Sequence, residues 1–382
     1  MAEYLTNTTD LTKVASAIRE KGGTSDSLVY PDGFVTAIQA IQTGTELQII
    51  ATVTSGATVT ATKGSLSVSG TSVNGTCTLV VPEEGEWTVS ATLGGETSTS
   101  STVNVVSSYD TTLIFASTIL NDNSWETIRS SSDDGTGANY WSIGDRKEVA
   151  LTGTVGHFEV VNYITYAFII GFNHNQELEG TNRIHFQFAK TALSGGTDIC
   201  FTDNQYALTA GWPNPGANYF VMNITATNIG GWASSHMRTK ICGTSLSSYS
   251  GTMIEVIPAT LRAVLKSVTK YTDNTGNYSA TASTVTATTD YFFLLSEFEV
   301  FGSISCANTY EKNKQAQYAY YSAGNSKAKY LFFAQDTIAV WCLRSPYRDN
   351  SGSFVQVGNS IGGNVDRYNA NYSFGFAPGF CV

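Results

Sequence analysis

The chain has 382 residues, of which 14% are charged and 12% aromatic, and its net charge is −10. A chain of this length exceeds what one hydrophobic core usually organises, so two or three domains are expected. The acidic balance and the lack of any run rich in lysine or arginine argue against nucleic acid or an anionic membrane as partner, because phosphate binding needs clustered cations.

The N-terminal residues are polar, and no later stretch approaches the length of apolar sequence that a membrane span requires. A spanning helix needs about eighteen or more apolar residues, and an export signal needs an apolar segment near the start. We therefore expect neither an export signal nor membrane insertion.

Residues 1–44 are predicted to form a small module of two helices. Thr9 or Asp10 is expected to cap the first helix, Gly22 and Gly23 to end it, and Pro31 to occupy the first turn of the second. The apolar positions at helical spacing are Leu11, Val14, Ala15 and Ile18, followed by Phe34, Val35, Ile38 and Ile41. Two helices of this size bury too little surface to be stable alone, so the module is expected to need a second copy or a partner protein.

Residues 45–107 change to a period of two. Apolar residues alternate with Thr or Ser in several short segments, which are separated by Gly, Asn-Gly and Glu-Gly turn signals. This pattern predicts an immunoglobulin-like β-sandwich. Trp87 is expected in its core, and a ligand-stacking role for this ring is the alternative.

Residues 108–382 are predicted to form one α+β domain rich in loops, in which β-rich runs alternate with polar connections containing many Gly and Asn residues. Two helices are predicted, one near 230–242 and one near 259–272. Recognition residues usually lie on such loops when a rigid scaffold supports them.

The sequence lacks the common catalytic motifs, including GxSxG, HExxH and a phosphate-binding glycine loop with lysine. The cysteines are too widely spaced for a zinc site and are expected to be buried free thiols, with a disulfide among the last five left open. They are Cys77, Cys200, Cys242, Cys306, Cys342 and Cys381.

One histidine lies in a context that could suit a hard cation. Oxygens of Asn173, Asn175 and Glu177 flank His174 and could serve calcium. A loop histidine that makes turn hydrogen bonds is the favoured interpretation, because carboxylates are few. The acidic run at 132–135 and the pair at 297 and 299 are expected in a turn and on a strand face. No cofactor is predicted.

The segment 344–373 has the composition of a binding surface. Tyr, Asn, Ser, Gly and Arg are preferred in antibody paratopes, because Tyr offers contact area at low entropic cost and Asn or Ser offers adaptable hydrogen bonds. An ordinary polar loop region is the alternative, and Trp341, Leu343 and Phe380 are expected in the core behind the surface. The predicted binding residues are Tyr347, Arg348, Asp349, Asn350, Phe354, Gln356, Asn359, Asn364, Asp366, Arg367, Tyr368, Asn369, Asn371 and Tyr372.

An ordered series of motifs in residues 108–382 resembles an uncharacterised domain family common in phage and bacterial surface proteins of gut Firmicutes. The motifs are Trp141-Ser142-Ile143-Gly144-Asp145, Ile169-Ile170-Gly171-Phe172-Asn173-His174-Asn175, Gly231-Trp232, Leu294-Leu295-Ser296-Glu297, Trp341-Cys342-Leu343-Arg344-Ser345-Pro346 and Phe380-Cys381-Val382. That family is similar to the C-type-lectin-like fold of formylglycine-generating enzymes and of the variable proteins of diversity-generating retroelements, which include a phage tropism determinant. Ala377 departs from the family, where Arg is commoner before Pro, so a salt bridge is not expected there.

The N-terminal pattern at 10–41 resembles a small module that recurs in phage tail and baseplate proteins. Together the resemblances imply a phage tail receptor-binding protein that is made in the host cytoplasm, is located in the virion and is homotrimeric. They also imply that 347–372 is a variable face, because adenine-directed mutagenesis of Asn codons yields the residue types enriched there.

The expected function is therefore adhesion to a bacterial surface protein or glycan, with no enzymatic activity. A bacterial surface adhesin with the same terminal domain is the first alternative. A virion enzyme acting on glycans, or an oxidase of the formylglycine-generating type, is placed last, because the sequence shows neither a convergent carboxylate pair nor a close cysteine pair.

Overall fold

The computed structural model describes residues 8–22, 27–40, 46–203, 206 and 214–382. The chain forms two compact units, residues 1–114 and 115–382, and is mostly β-structure arranged in several sheets. Within the described ranges, no helix is both long and apolar enough to cross a membrane.

The first unit begins with a helical pair, α1 (Thr8–Gly22) and α2 (Asp32–Ala40). Its small core consists of Ala15, Ile18 and Phe34. Three members of the predicted apolar stripes are about half exposed, namely Val14, Val35 and Ile38. The capping prediction is wrong, because α1 starts at Thr8 and includes Thr9 and Asp10. The predicted roles of Gly23 and Ile41 lie outside the described residues.

Eight strands follow in two sheets with the orders β4-β1-β8 and β3-β2-β5-β6, and β7 also pairs with β5. The strands are β1 (Gln48–Thr52), β2 (Thr58–Lys63), β3 (Leu66–Thr71), β4 (Thr76–Val80), β5 (Gly85–Leu93), β6 (Glu96–Thr97), β7 (Ser101–Val105) and β8 (Ser108–Thr112). Burial alternates along β2, β4 and β5, as the period of two predicts.

Trp87 is fully buried, which confirms its predicted place in the core of this unit. The two sheets come close at Gly70, where an added Cβ would lie 3.1 Å from Sγ of Cys77 and from Leu79. The predicted boundary after residue 107 is corrected, because Ser108–Thr112 pairs in parallel with Gln48–Thr52 and extends this unit to residue 114.

The described residues of the second unit form thirteen strands, a set of short α-helices, and short 3₁₀ and π segments. The strands are β9 (Arg146–Val155), β10 (Phe158–Phe172), β11 (Ile184–Lys190), β12 (Ile199–Cys200), β13 (Val268–Asp273), β14 (Val285–Asp290), β15 (Phe292–Phe293), β16 (Lys329–Leu331), β17 (Ala334–Ala339), β18 (Trp341–Pro346), β19 (Ser353–Val357), β20 (Val365–Asn369) and β21 (Gly379–Cys381). The helices are α3 (Trp125–Asp133), α4 (Gly137–Tyr140), α5 (Gln176–Glu179), α6 (Gly231–Ser234), α7 (Met253–Val256), α8 (Ala259–Val264), α9 (Glu297–Phe301) and α10 (Ala319–Ser322). The 3₁₀ segments are Leu120–Asp122, Ala282–Thr284 and Thr309–Asn313, and the π segment is Met237–Cys242.

A five-stranded sheet with the order β15-β21-β11-β10-β9 runs through the core of this unit. Its strand β11 is buried along its whole length, and Phe186 of β11 stacks on Phe380 of β21 with ring centroids 5.3 Å apart. Ala377 is fully buried, and its carbonyl accepts a hydrogen bond from Gln187.

The two predicted helices are confirmed only in part. The first is present as α6 followed by the π segment Met237–Cys242. The second ends at Val264, and from Val268 onward the predicted helix is instead strand β13, which pairs with β14. Val268, Lys270 and Thr272 are buried at alternate positions, so a period of two replaces the helical one.

Candidate functional site

The C-terminal segment singled out by composition folds around a three-stranded antiparallel sheet with the order β18-β19-β20. Strands β18 and β19 are buried throughout, whereas β20 lies at the end of the sheet with all its residues half-buried or exposed. We call β20 and the two loops 347–352 and 358–364 the edge face. It is a partly solvent-exposed surface on two fully buried strands.

Most of the predicted binding residues lie on or beside the edge face. Five are exposed, namely Asp349, Asn350, Asn359, Asn364 and Arg367. Seven are half-buried, namely Tyr347, Arg348, Asp366, Tyr368, Asn369, Asn371 and Tyr372. These twelve side chains lie on β20, on the residues that follow it and on the two loops, one at each end of β19.

Two predicted binding residues are wrong. Phe354 and Gln356 are fully buried in β19, so neither can contact a partner. Gln356 instead accepts a hydrogen bond from the backbone N–H of Tyr368 at 2.7 Å, which ties β20 to the core strand. Composition grouped them with the surface because it does not register that β19 is a central strand, paired on both sides and buried along its whole length. The predicted core residues Trp341, Leu343 and Phe380 are confirmed as buried.

Two tyrosines of the edge region serve partly as packing residues. The rings of Tyr368 and Tyr372 lie 5.2 Å and 6.2 Å from the buried Phe374. The hydroxyl of Tyr368 donates to Asp366 at 2.9 Å. Burial, and then this carboxylate, raises the pKa of Tyr368 to about 12, so the phenol stays protonated at neutral pH.

The two arginines of the edge face are held by different contacts. The backbone N–H of Arg348 donates to Cys306 at 3.0 Å, and its guanidinium donates to the carbonyl of Ala307 at 3.3 Å. The guanidinium of Arg367 lies 5.8 Å from the ring of Tyr347. Arg367 is exposed, so it is a cation available for contact with a partner.

A buried asparagine that sequence reasoning missed holds the first loop of the edge face. The amide of Asn228 donates to the carbonyls of Tyr347, Asn350 and Ser353 at 3.1, 2.7 and 2.9 Å, and its oxygen accepts from the backbone of Asn277 at 2.8 Å. Close packing of the backbone requires glycine at Gly276, where φ is +61° and a Cβ would lie 2.1 Å from the carbonyl oxygen of Asn228. A single side chain thus fixes the path of 347–353.

Exposed apolar residues flank the edge face, and composition did not single them out either. Ile229 and Tyr278 are 59% and 63% exposed. They directly follow Asn228 and Asn277, which are hydrogen-bonded to each other. Tyr278 has a φ of +65°, a left-handed conformation that costs free energy for a bulky residue. Strain of this kind clusters at functional sites, so we add the exposed Tyr278 and Ile229 to the candidate surface as a hypothesis.

Behind the sheet lies a buried network of ion pairs. Arg344 of β18 donates through both terminal nitrogens to Glu299, and through Nε to Thr272 Oγ1 at 2.7 Å. Lys270 of β13 lies 2.6 Å from Glu179 and 3.0 Å from Glu299. These four charged side chains are almost completely buried. Burial opposes ionisation of Glu299, but Arg344 and Lys270 outweigh it and hold its pKa below the usual range.

The strand face predicted for Glu297 and Glu299 is wrong, since both lie on helix α9. Ser296 caps this helix. Its hydroxyl accepts a hydrogen bond from the backbone N–H of Glu299, and the carboxylate of Glu299 accepts one from the backbone N–H of Ser296. The spacing Ser296-x-x-Glu299 is the capping-box signal that could have identified the helix from sequence. The carboxylate of Glu297 accepts from the backbone of 305–307, which in turn holds Arg348.

His174 lies in the turn between β10 and α5, so the interpretation of it as a loop residue is confirmed. Its ring is buried and stacks on Tyr318 at a centroid distance of 3.7 Å, and burial lowers its pKa to about 3. The predicted oxygen ligands do not converge on it. The side chain of Asn173 accepts a hydrogen bond from the backbone N–H of Arg183, and that of Asn175 donates one to the carbonyl of Lys314. The side chain of Glu177 is exposed.

The donor set nearest to a metal centre, among the described residues, consists of His174, Glu179 and Glu299, whose ligand atoms lie within 4.8 Å of one another. The ammonium of Lys270 already contacts both carboxylates. Two carboxylates are balanced by Lys270 and Arg344, so a divalent ion would leave an excess of buried positive charge. We therefore assign this cluster as an ion-pair network that rigidifies the scaffold.

All six cysteines are free, which confirms the predicted thiols, and only Cys306 is partly exposed. Burial raises the pKa of Cys200 and Cys381 to about 12. Thiols with such a pKa remain protonated at neutral pH and are poor nucleophiles.

Glu311 gives this scaffold a testable pH dependence. Burial raises the pKa of Glu311 from 4.5 to about 7, although the backbone N–H of Asp273 and the hydroxyl of Ser345 donate to it. A carboxyl with a raised pKa binds its proton more tightly in the folded state. Its contribution to stability is therefore full below about pH 4.5 and is lost as the pH rises through about 7.

The side chain of Glu311→Gln stays neutral at every pH. We therefore predict that the free energy of unfolding of this variant, relative to that of the wild type, increases by roughly 1–3 kcal/mol as the pH rises from 5 to 8. The measurement is the free energy of unfolding by urea at each pH for both proteins. A difference that is constant across this range would show that Glu311 titrates normally.

The fold and the site together define a multidomain, mostly β protein whose C-terminal unit presents a polar and aromatic edge on a rigid core. Residues 220–382, less than half of the chain, match DUF6273, a domain of unknown function. This region contains Asn228, Arg344 and the whole edge face. No curated protein matches the sequence.

Proposed function

We propose that this chain is a phage tail receptor-binding protein that recognises a protein or glycan on the host bacterial surface through the edge face. The observation that carries the proposal is the contrast within one small sheet. Strands β18 and β19 are buried, while β20 and its loops expose Asn and Arg side chains around half-buried Tyr rings. A preorganised surface of this composition is suited to binding at low entropic cost.

The proposal assigns a role to each part of the chain. Residues 115–382 are proposed to be a C-type-lectin-like domain, and the preceding strands an immunoglobulin-like spacer. The helical pair is proposed to attach to tail or baseplate proteins, a role supported by the exposed apolar side chains of Val14, Val35 and Ile38. We propose a homotrimer in the virion, because several weak sites on one particle raise avidity.

We propose binding rather than catalysis for the convergent carboxylates of this unit. A glycosidase needs two carboxyl groups that flank the scissile bond in a cleft that the substrate can enter. Glu179 and Glu299 are buried and are bridged by Lys270, which occupies the space between them. A bacterial surface adhesin that uses the same edge face is the alternative.

The triple variant Asp349→Ala, Asn359→Ala and Arg367→Ala tests the edge face. All three side chains are exposed, so their removal should leave the free energy of unfolding within about 1 kcal/mol of the wild type. Binding of the full chain to a panel of intact gut Firmicutes, measured by flow cytometry, should be strain-selective and should fall at least tenfold in the variant, because contact residues on both loops and on β20 are removed.

The matched control is Gln176→Ala, Glu177→Ala and Lys312→Ala, which removes the same kinds of exposed side chain from elsewhere in the unit. It should bind like the wild type. Equal binding by the edge-face variant and the wild type would refute the assignment of the edge face. Absence of binding to every strain by the folded wild type would count against the receptor-binding function itself.

A further inference from the structure

A second feature of residues 115–382 is a surface pocket of about 470 Å³, away from the C-terminal segment in sequence. A pocket of this size falls in the range that holds small ligands. Four chain segments meet in it, and the residues used below are Arg129 and Asp133 of α3, Asn182 and Arg183 before β11, Lys266 before β13, and Tyr291 between β14 and β15.

The lining carries three cations and one carboxylate. Asp133 is shared, since one oxygen lies 2.8 Å from Nε of Arg129 and the other lies 2.6 Å from Nζ of Lys266. The single carboxylate of Asp133 is therefore shared by the two cations Arg129 and Lys266. The chain as a whole has a net charge of −10, so this local excess of positive charge is not a property of the general surface.

The third cation, Arg183, has no carboxylate partner among the described residues. Its guanidinium donates to the carbonyl of Ser267 from Nε at 3.3 Å and from Nη2 at 3.1 Å, and to Thr181 from Nη1 at 2.8 Å. Backbone carbonyls fix the orientation of a guanidinium but carry no net charge. The group is thus positioned and its charge remains uncompensated.

A backbone carbonyl also orients the guanidinium of Arg129, which keeps one nitrogen available to donate to a ligand. Nη1 donates to the carbonyl of Val264 at 2.9 Å, and within the described part of the chain Nη2 has no acceptor. The side chain is 34% exposed, so a ligand in the pocket can reach it.

Lys266 is more enclosed than Arg129, with a side chain that is 10% exposed. Its Nζ also donates to Ser132 Oγ at 3.1 Å and to the carbonyl of Asn182. Burial lowers the pKa of Lys266, Asp133 opposes this effect, and Arg129 and Arg183 add to it. A bound anion would relieve the repulsion among the three cations.

We propose that this pocket binds an anionic group, phosphate or carboxylate, carried by a sugar or polyol. The planar guanidinium groups of Arg129 and Arg183 suit the paired oxygens of either anion, and the half-buried ring of Tyr291 offers a surface for the carbon skeleton. The site is separate from the edge face and goes beyond the proposed receptor-binding function, which it does not require.

The test is a calorimetric titration of the full chain with glycerol 3-phosphate, glucuronate and, as the uncharged control, glycerol. At least one of the two anions should bind saturably and with an affinity that falls as salt is added, while glycerol should not bind. Whichever anion binds identifies the source of the charged group.

Arg129→Gln should weaken anion binding about tenfold, as expected for the loss of one charge-assisted hydrogen bond. Arg129→Lys, which keeps the charge, should fall between this variant and the wild type. Lys312→Gln removes an exposed cation that does not line the pocket and should bind like the wild type.

Failure of both anions to bind would overturn the proposal, as would equal weakening by Arg129→Gln and Lys312→Gln. Arg129→Gln should retain the overall fold, since its side chain is partly exposed, and a melting curve checks this. Bacterial binding is measured on the same variant. If Arg129→Gln loses anion binding but still binds bacteria, or if the edge-face variant loses bacterial binding but still binds the anion, the two proposals are independent.

Discussion

Replacing Arg344 with methionine is expected to destabilise the 115–382 unit by about 3–5 kcal/mol. Arg344 is fully buried and supplies both terminal nitrogens to Glu299, while Nη1 also donates to the carbonyl of Leu294 at 2.8 Å. Its removal leaves a buried carboxylate whose one remaining ionic partner among the described residues is Lys270. Folded proteins are stable by about 5–15 kcal/mol, so this loss is a large fraction of the total.

The measurement is the free energy of unfolding of the full chain in guanidinium chloride, with far-UV and tryptophan signals followed together. The control is Lys63→Met, which breaks a partly exposed pair with Glu83 at 2.9 Å and should cost less than about 1 kcal/mol. The double variant Arg344→Met with Glu299→Met should recover part of the loss, because no unpaired carboxylate then remains. A loss below about 1 kcal/mol for Arg344→Met alone would contradict the ion-pair network.

The sequence predicted the elements whose residues follow a clear period. Alternation along residues 46–107 indicated the strands and placed Trp87 in the core, and both are present. The same logic failed at 259–272, because Ala259–Val264 and Val268–Asp273 are short neighbouring elements of different period. A window that spans both reads them as one helix.

Charged residues in the core were the least predictable. Glu299 and Arg344 are 45 residues apart in sequence and meet only when α9 lies against β18. Buried charges are rare unless they are paired, so a reading of isolated residues places them on the surface. The capping box at Ser296 identifies the helix but not the partner of its carboxylate.

The candidate surface was predictable as a segment and not as a site. Composition found the region 347–372 because Tyr, Asn and Arg are concentrated there. It could not separate Phe354 from Tyr368, which face each other in paired strands with one fully buried and the other only half-buried. Ile229 and Tyr278 lie outside the segment and join the region only through contacts of Asn228 and its neighbours.

The second large effect is expected for Asn228→Asp, which changes the side chain by a single group of similar size. The aspartate cannot donate, so its oxygens would face the carbonyl oxygens of Tyr347, Asn350 and Ser353 in a fully buried position. Leaving one buried carbonyl unpaired costs about 1–3 kcal/mol, and repulsion from a buried carboxylate adds to it. We expect a loss of at least about 3 kcal/mol in the free energy of unfolding.

The matched control is Asn359→Asp, which makes the same chemical change at an exposed position of the edge face and should alter stability by less than about 0.5 kcal/mol. Hydrogen exchange of the backbone amides then separates two explanations of the loss. Faster exchange concentrated in 347–353 would show that Asn228 fixes this loop, whereas uniform acceleration across β9, β10 and β11 would show that it supports the whole core. Unchanged stability and exchange would mean that the loop keeps its path without Asn228, and the preorganisation on which binding by the edge face depends would need another source.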